Sequence, residues 1–368
     1  MGRLVLCFAA VACAICSVAV GSGLPPEAFN TLWTYNETFA AEKGLKGPSG
    51  WGDSWPYCKT AGEDTVQSPI NIETAKVSVG RSGVLPLVFT RATTDITGQN
   101  TGASLSFSPR VHANFTTYSG RKYVLNEAHI HWDRYDNHRG SEHLVDGVAE
   151  AAEVHLVHYD AAFKSQDEAV HDGSVGNIAV VGIRYVVAES ADEESEVPLF
   201  SIFSDLQFAL DSMKTVKNID LYDLFGSDAS LESIPMFHYN GSLTTPTCNP
   251  IVSWFVVQRP VKVSQEQMVK LRECLHVNVS AFEEGVIVDN NARPACPLNG
   301  RQVVAWPVVD SSSSNYDSSH SSSSSSSTSP SSSPKQSSTS SKEAASTVVV
   351  STALAMILGA AMLLLFGM

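Results

Sequence analysis

Glu127-Ala-His-Ile-His-Trp132, followed by Ala152-Glu-Val-His-Leu-Val-His158, is the stretch on which the fold turns. Both segments read as β-strands, and strand side chains alternate between two faces. His129 and His131 therefore point the same way, as do Glu153, His155 and Val157. The intervening Ala128, Ile130, Val154 and Leu156 are apolar and suit a core. A lone strand histidine is ordinarily a core or surface residue, and a His-x-His pair alone is weak evidence. Three imidazoles on two strands are stronger. They form the ligand set of a catalytic zinc site, in which three protein ligands leave one tetrahedral position open.

Working outward, both ends read as processing signals. Residues 1–21 have a basic start at Arg3, an apolar run from Leu4 to Val20 and small residues at the exit, which is the pattern of a secretory signal peptide. Residues 311–341 are almost all serine, with some Pro and Thr, too poor in apolar surface to fold and read as a disordered stalk. Residues 342–368 contain an apolar tail with no basic residue after it. A type I membrane span carries Lys or Arg on its cytoplasmic side, so the order of small residues, spacer and tail reads as a GPI signal, with Ser337 or Ser338 as attachment site. This leaves residues 24–310 for one domain at the outer face of the plasma membrane, held by a lipid anchor. The net charge of −14 and the lack of a basic cluster exclude nucleic acid as a partner. The sequence gives no oligomeric state.

Of the seven cysteines, Cys7, Cys13 and Cys16 leave with the leader; Cys58, Cys248, Cys274 and Cys296 remain, and four cysteines allow three pairings. Sequons stand at Asn36, Asn114, Asn240 and Asn278; Asn36, Asn114 and Asn278 are the expected glycosylation sites, and Asn240, beside a candidate catalytic loop, is not. Short β-branched runs such as Ile178–Val187, 251–257 and 285–289 are punctuated by Gly, Pro and Asn. Ser264 ahead of Glu266-Gln-Met-Val-Lys-Leu-Arg reads as a capped helix, and residues 200–210 as a weaker one. Pattern alone supports a mainly β or α+β domain.

The segments quoted at the outset, with Gly140-Ser-Glu-His143, resemble the α-class carbonic anhydrases of the secreted or membrane-anchored type. Further matches are Trp33-Thr-Tyr35, Gly47-Pro48 with Trp51, Gln67-Ser-Pro-Ile-Asn-Ile72, Tyr239 with Gly241-Ser-Leu-Thr-Thr-Pro246, Trp254, Asn291-Ala-Arg-Pro294 and Pro297-Leu298. The resemblance implies a single domain on a large, mostly antiparallel twisted sheet with short peripheral helices. It implies Zn2+ held by His129, His131 and His155, and reversible hydration of carbon dioxide to bicarbonate and a proton by zinc-bound hydroxide. Thr244 takes the role of the hydroxyl that orients the attacking oxygen, and Glu142 that of the carboxylate accepting the Thr244 proton. Val157, Val180, Leu243, Val252 and Trp254, with Thr245, match the substrate pocket, and Tyr35 lies on a proton path. Glu127, Glu153 and Asn291 are expected behind the ligands; the sequence leaves open whether Glu153 meets His131 or the third imidazole. Cys58 and Cys248 occupy positions bridged in secreted relatives, which leaves Cys274 and Cys296 as a possible second pair.

The chain departs from the family pattern twice. Glu127 stands where the family usually has glutamine; on the face of His129 it is either a carboxylate accepting that ring's free N–H, or protonated, or turned away. The proton-shuttling histidine of fast relatives is replaced in Asn100-Thr-Gly-Ala103 by Ala103, which cannot titrate; His112 and His138 are substitutes by composition only. One rival reading is a carbonic-anhydrase-like binding or adhesion ectodomain with little activity. Such modules lose zinc ligands, whereas all three histidines are present here. A second, zinc-dependent esterase chemistry, has no visible acyl-binding determinant.

Overall fold

The computed structural model describes residues 33–306 apart from 63–64, 81–85, 102, 134–138, 190–196, 198–212, 227–230, 232–233 and 275–289. The expected leader (1–21), stalk (311–341) and anchor signal (342–368) lie outside the described residues. So do His138, Asn278, Ser337, Ser338, the weaker helix 200–210 and the strand 285–289.

Fifteen strands are described: β1 (Asn71–Ile72), β2 (Ser78–Val79), β3 (Leu87–Thr90), β4 (Thr94–Asn100), β5 (Leu105–Pro109), β6 (Asn114–Thr117), β7 (Lys122–Trp132), β8 (Leu144–Val145), β9 (Ala152–Asp160), β10 (Ile178–Val187), β11 (Met213–Ile219), β12 (Met236–Gly241), β13 (Val252–Val257), β14 (Val261–Val263) and β15 (Val304–Trp306). Four short helices accompany them: α1 (Glu37–Lys43), α2 (Trp51–Ser54), α3 (Gln166–Asp172) and α4 (Gln265–Cys274). Thirteen strands form one sheet with the main order β11-β4-β5-β7-β9-β10-β13-β12-β15-β2. Most pairs are antiparallel, but β10–β13, β10–β14 and β15–β2 are parallel, so the sheet is mixed. The mainly β architecture with small helices is the one the sequence leads to.

The central strands are buried on both faces. One face packs a core that includes Ala128, Ile130, Trp132, Val154, Leu156, Val181, Ile183 and Phe255. The other packs Val157, Ile178, Val180, Tyr239, Val252 and Trp254 against Ile70 and Ile72. Each large apolar side chain so buried stabilises the fold by ~1.5–3 kcal/mol. In β7 the register against β9 shifts between Leu125 and Glu127, so Asn126 is an extra, bulged residue. A bulge changes which residues face the core. Tyr123 and Leu125 join the first core before it, and Ala128, Ile130 and Trp132 after it. Glu127, His129 and His131 are thereby turned to the opposite face.

The α4 cap matches its sequence signal: the Ser264 hydroxyl accepts from Gln267 N at 3.1 Å, and Gln267 Oε1 accepts from Ser264 N at 3.3 Å. α3 starts at Ser165, whose hydroxyl accepts from Glu168 N, and ends at Gly173 in the left-handed region, φ 73°. Cys58 and Cys248 are disulfide-bonded across 190 residues of sequence. The second pair is not formed. Cys296 is a free, buried thiol, and its backbone N–H donates to Pro69 O at 2.7 Å. That attachment turns its Sγ inward to the Ser68 and Pro294 carbonyls, at 3.7 Å each. Among the described residues no helix is long and apolar enough to cross a membrane.

Candidate metal centre and active-site cavity

Antiparallel register brings the three histidines together. His129 on β7 lies opposite His155 on β9, which lies opposite Gly182 on β10. His131 lies opposite Glu153. One ring nitrogen from each of His129, His131 and His155 falls in a group whose atoms all lie within 4.8 Å of one another. His131 and His155 are fully buried, and His129 is partly open to the cavity.

Their outer nitrogens are spoken for. His131 Nδ1–H donates to Asn291 O at 2.8 Å, and His155 Nε2–H donates to Glu153 Oε1 at 2.9 Å. These partners assign the tautomers, and they leave His131 Nε2 and His155 Nδ1 as lone pairs facing each other at 3.1 Å. Two lone pairs that close repel unless a cation sits between them. Burial, with His155 and His129 nearby, holds the His131 pKa well below the ordinary histidine value; burial brings that of His155 down to about 4. Neutral imidazoles are the form that binds a metal, so the group fits a zinc ion by both geometry and charge.

The surrounding shell resolves the question left open by the sequence: Glu153 serves His155. Its Oε1 also accepts from His143 Nδ1 at 2.7 Å, and its Oε2 from His143 N at 2.8 Å. Burial would raise the Glu153 pKa, but His143 beside it and the hydrogen bonds from His143 and His155 hold it well below the usual carboxylate range. His143 Nε2 lies 2.7 Å from the Tyr239 hydroxyl, which lies 2.9 Å from Ser68 Oγ. Gly182 is required here: a Cβ would come within 2.8 Å of Glu153 Oε1. Asn291 anchors the other side, donating to Ala103 O and Ile130 O and accepting from Trp132 N.

Glu142 Oε1 accepts from Arg293 N at 2.8 Å, and its Oε2 stands 3.9 Å from His155 Nδ1. Burial pushes the Glu142 pKa well above the carboxylate range, while the Arg293 N–H and the Thr244 hydroxyl pull it back. Glu142 Oε2 accepts no well-formed hydrogen bond. The Thr244 loop is braced by Trp254 Nε1 donating to Ser242 O, by Gln67 Nε2 donating to Cys248 O, and by the disulfide.

A cavity open to solvent is bounded by His129 and His155, by Thr244 and Thr245 on the loop side, and by Val157, Val180, Leu243 and Trp254 on the apolar side. The row Glu127–Val157–Val180–Trp254–Tyr239 crosses five adjacent strands, which explains the continuous wall. Val252 is not on that wall. It pairs with Ile178 and Gly241 and is wholly buried, and Ile178 lines the cavity instead. Val170 and Gln166 from α3 also line it and escaped the sequence reading, because no local pattern shows which face of a short helix meets a distant sheet. Ile178 was legible in principle, two residues before Val180 on one strand. Tyr35 packs edge-on against His131, with ring centroids 6.1 Å apart. Ala103 packs in the cluster of Tyr35, Trp51 and Trp55. His112 is exposed, tied to Leu125 O and absent from the cavity wall. Of the sequons, Asn36 and Asn114 are half-buried and Asn240 is exposed.

A mixed sheet carrying a strand-borne imidazole triad beside an apolar wall is an arrangement able to hold a metal ion. The family model of the eukaryotic-type carbonic anhydrases matches residues 46–306. The chain is 31% identical to carbonic anhydrase 6 of Bos taurus, over 74% of this chain and 80% of that one. It is 37% identical to carbonic anhydrase 3 of Homo sapiens, over 50% of this chain and 65% of that one. The chain belongs to the eukaryotic-type carbonic anhydrase family and is an enzyme of that kind.

Proposed function

We propose that the protein is a zinc carbonic anhydrase that interconverts carbon dioxide and water with bicarbonate and a proton. The observation that carries this reading is the lone-pair contact between buried His131 and His155, the latter lining a cavity that also holds Thr244 and an apolar wall. Zinc, when bound by His129, His131 and His155, supplies a Lewis acid that lowers the pKa of water to about 7, an effect for which carbonic anhydrases are the standard example.

The chain's own residues do the rest. Glu142 accepts the Thr244 hydroxyl proton, so Thr244 presents a lone pair to the attacking oxygen and accepts its proton. That fixes the direction of the nucleophile's remaining lone pair toward carbon. Val157, Val180, Leu243 and Trp254 hold carbon dioxide, which has no charge to be gripped. The carbon–oxygen bond forms, one carbonyl bond opens, and bicarbonate leaves. The proton is left to solvent, because Ala103 cannot relay it. Turnover is then limited by proton export past Tyr35 and rises with buffer. The secretory leader, the serine stalk and the GPI signal make this a glycosylated cell-surface enzyme. Its partner there is the membrane, through the lipid.

Stopped-flow hydration across an imidazole series, with zinc assayed on the same sample, tests the reading. Zinc-loaded protein whose kcat rises with buffer while kcat/KM stays constant is expected. Zinc-loaded protein without hydration activity overturns it.

A further inference from the structure

Two of the buried polar atoms that lack a hydrogen bond face each other across the cavity floor. Glu127 Oε1 and His129 Nδ1 are 3.5 Å apart, and neither has a partner. The other carboxylate oxygen takes one neutral donor, the Ser106 hydroxyl at 3.0 Å. Glu127 is only 2% exposed, so a single hydroxyl leaves its charge poorly compensated. A carboxylate accepts only, whereas the amide usual at this position both accepts and donates and carries no charge. The natural complement of Glu127 is a proton on His129 Nδ1, with the opposite nitrogen directed at a cation.

We propose that Glu127 is a built-in counter-ion of the metal centre, which tightens the hold on the metal through His129 and repels small inorganic anions from the open coordination position. The inference rests on the triad being a zinc site, and concerns what this chain does there that an amide would not. One field produces both effects: a negative charge one imidazole away attracts a dication and disfavours an anion beside it. The site is thereby suited to fluids rich in chloride and bicarbonate, where anions compete with water for the metal. Glu127 is a positioning residue, acting on the metal through His129.

The test uses the full-length protein and its Glu127→Gln variant. Zinc affinity is measured by competition with a chromogenic chelator, and thiocyanate affinity by visible absorption of the cobalt-loaded forms. Glu127→Gln is expected to bind zinc on the order of ten-fold more weakly and thiocyanate on the order of ten-fold more tightly. Its metal-free form should unfold no earlier than wild type, since a buried charge has been removed. Glu127→Ala, which lacks both charge and amide, should show the same gain in thiocyanate affinity and serves if the first variant does not fold. Unchanged constants in zinc-loaded protein overturn the proposal alone. Constants that shift only together with a less stable metal-free form also overturn it, as a packing effect. Wild-type protein that takes up no zinc overturns the reading of the triad and the proposal with it.

Discussion

Replacing Glu153 by glutamine tests whether the shell behind His155 is held by charge and by three simultaneous hydrogen bonds. The carboxylate accepts from His143 N, His143 Nδ1 and His155 Nε2, at 2.8, 2.7 and 2.9 Å. Glutamine has the same shape but one acceptor oxygen. If that oxygen keeps the two ring donors, the amide NH2 faces the His143 N–H; if it is flipped, both ring donors are lost. At least one donor in a fully buried site is then unpaired, at about 1–3 kcal/mol, and the remaining bonds lose their charge assistance. We expect a total loss of about 2–4 kcal/mol in the metal-free protein, read as a lower urea midpoint with an unchanged slope. Zinc affinity should fall roughly 10–100-fold, because His155 is no longer held in its tautomer. A Glu153→Gln protein within about 0.5 kcal/mol of wild type, the range of an unremarkable surface change, would refute the argument.

Other outcomes follow from the same geometry. His158 lies off the candidate site, and burial takes its pKa down to about 3. Unfolded histidine titrates near ~6.5, so the unfolded state binds the extra proton below that pH, and metal-free protein should lose about 1.4 kcal/mol per pH unit from this group between ~6.5 and its folded pKa. Calorimetry of His158→Gln should show a shallower acid slope; Glu142, with its raised pKa, works in the opposite sense. Val180→Phe should fill the apolar side of the cavity and lower kcat/KM at least ten-fold with zinc content unchanged, and an unaffected kcat/KM would move the substrate elsewhere. The Cys58→Ser, Cys248→Ser double variant opens a link spanning 190 residues and should lose about 5 kcal/mol by chain entropy, measured by denaturant titration.

The sequence alone determined that His129 and His131 share a face, that the neighbouring alanine and isoleucine face a core, and that Ser264 starts a helix. Strand alternation and helix capping are local, set by a few consecutive residues. The roles of Thr244 and Glu142 were readable only through family resemblance, since nothing local ties a loop threonine to a glutamate 102 positions earlier. Tertiary structure decided the rest. The bulge at Asn126 sets which residues of β7 reach the cavity, and Glu153 bonds His155 two residues along its own strand although the register sets it opposite His131. Asn291 reaches His131 from 160 residues away. Val252 gave its expected place on the wall to Ile178, and Cys296 proved to be a buried free thiol, because each orientation depends on a strand partner distant in sequence. A sequence carries its periodicities along the chain; which side chains meet across a sheet is fixed only when backbone hydrogen bonds choose one register among several, and the burial of both faces makes that choice.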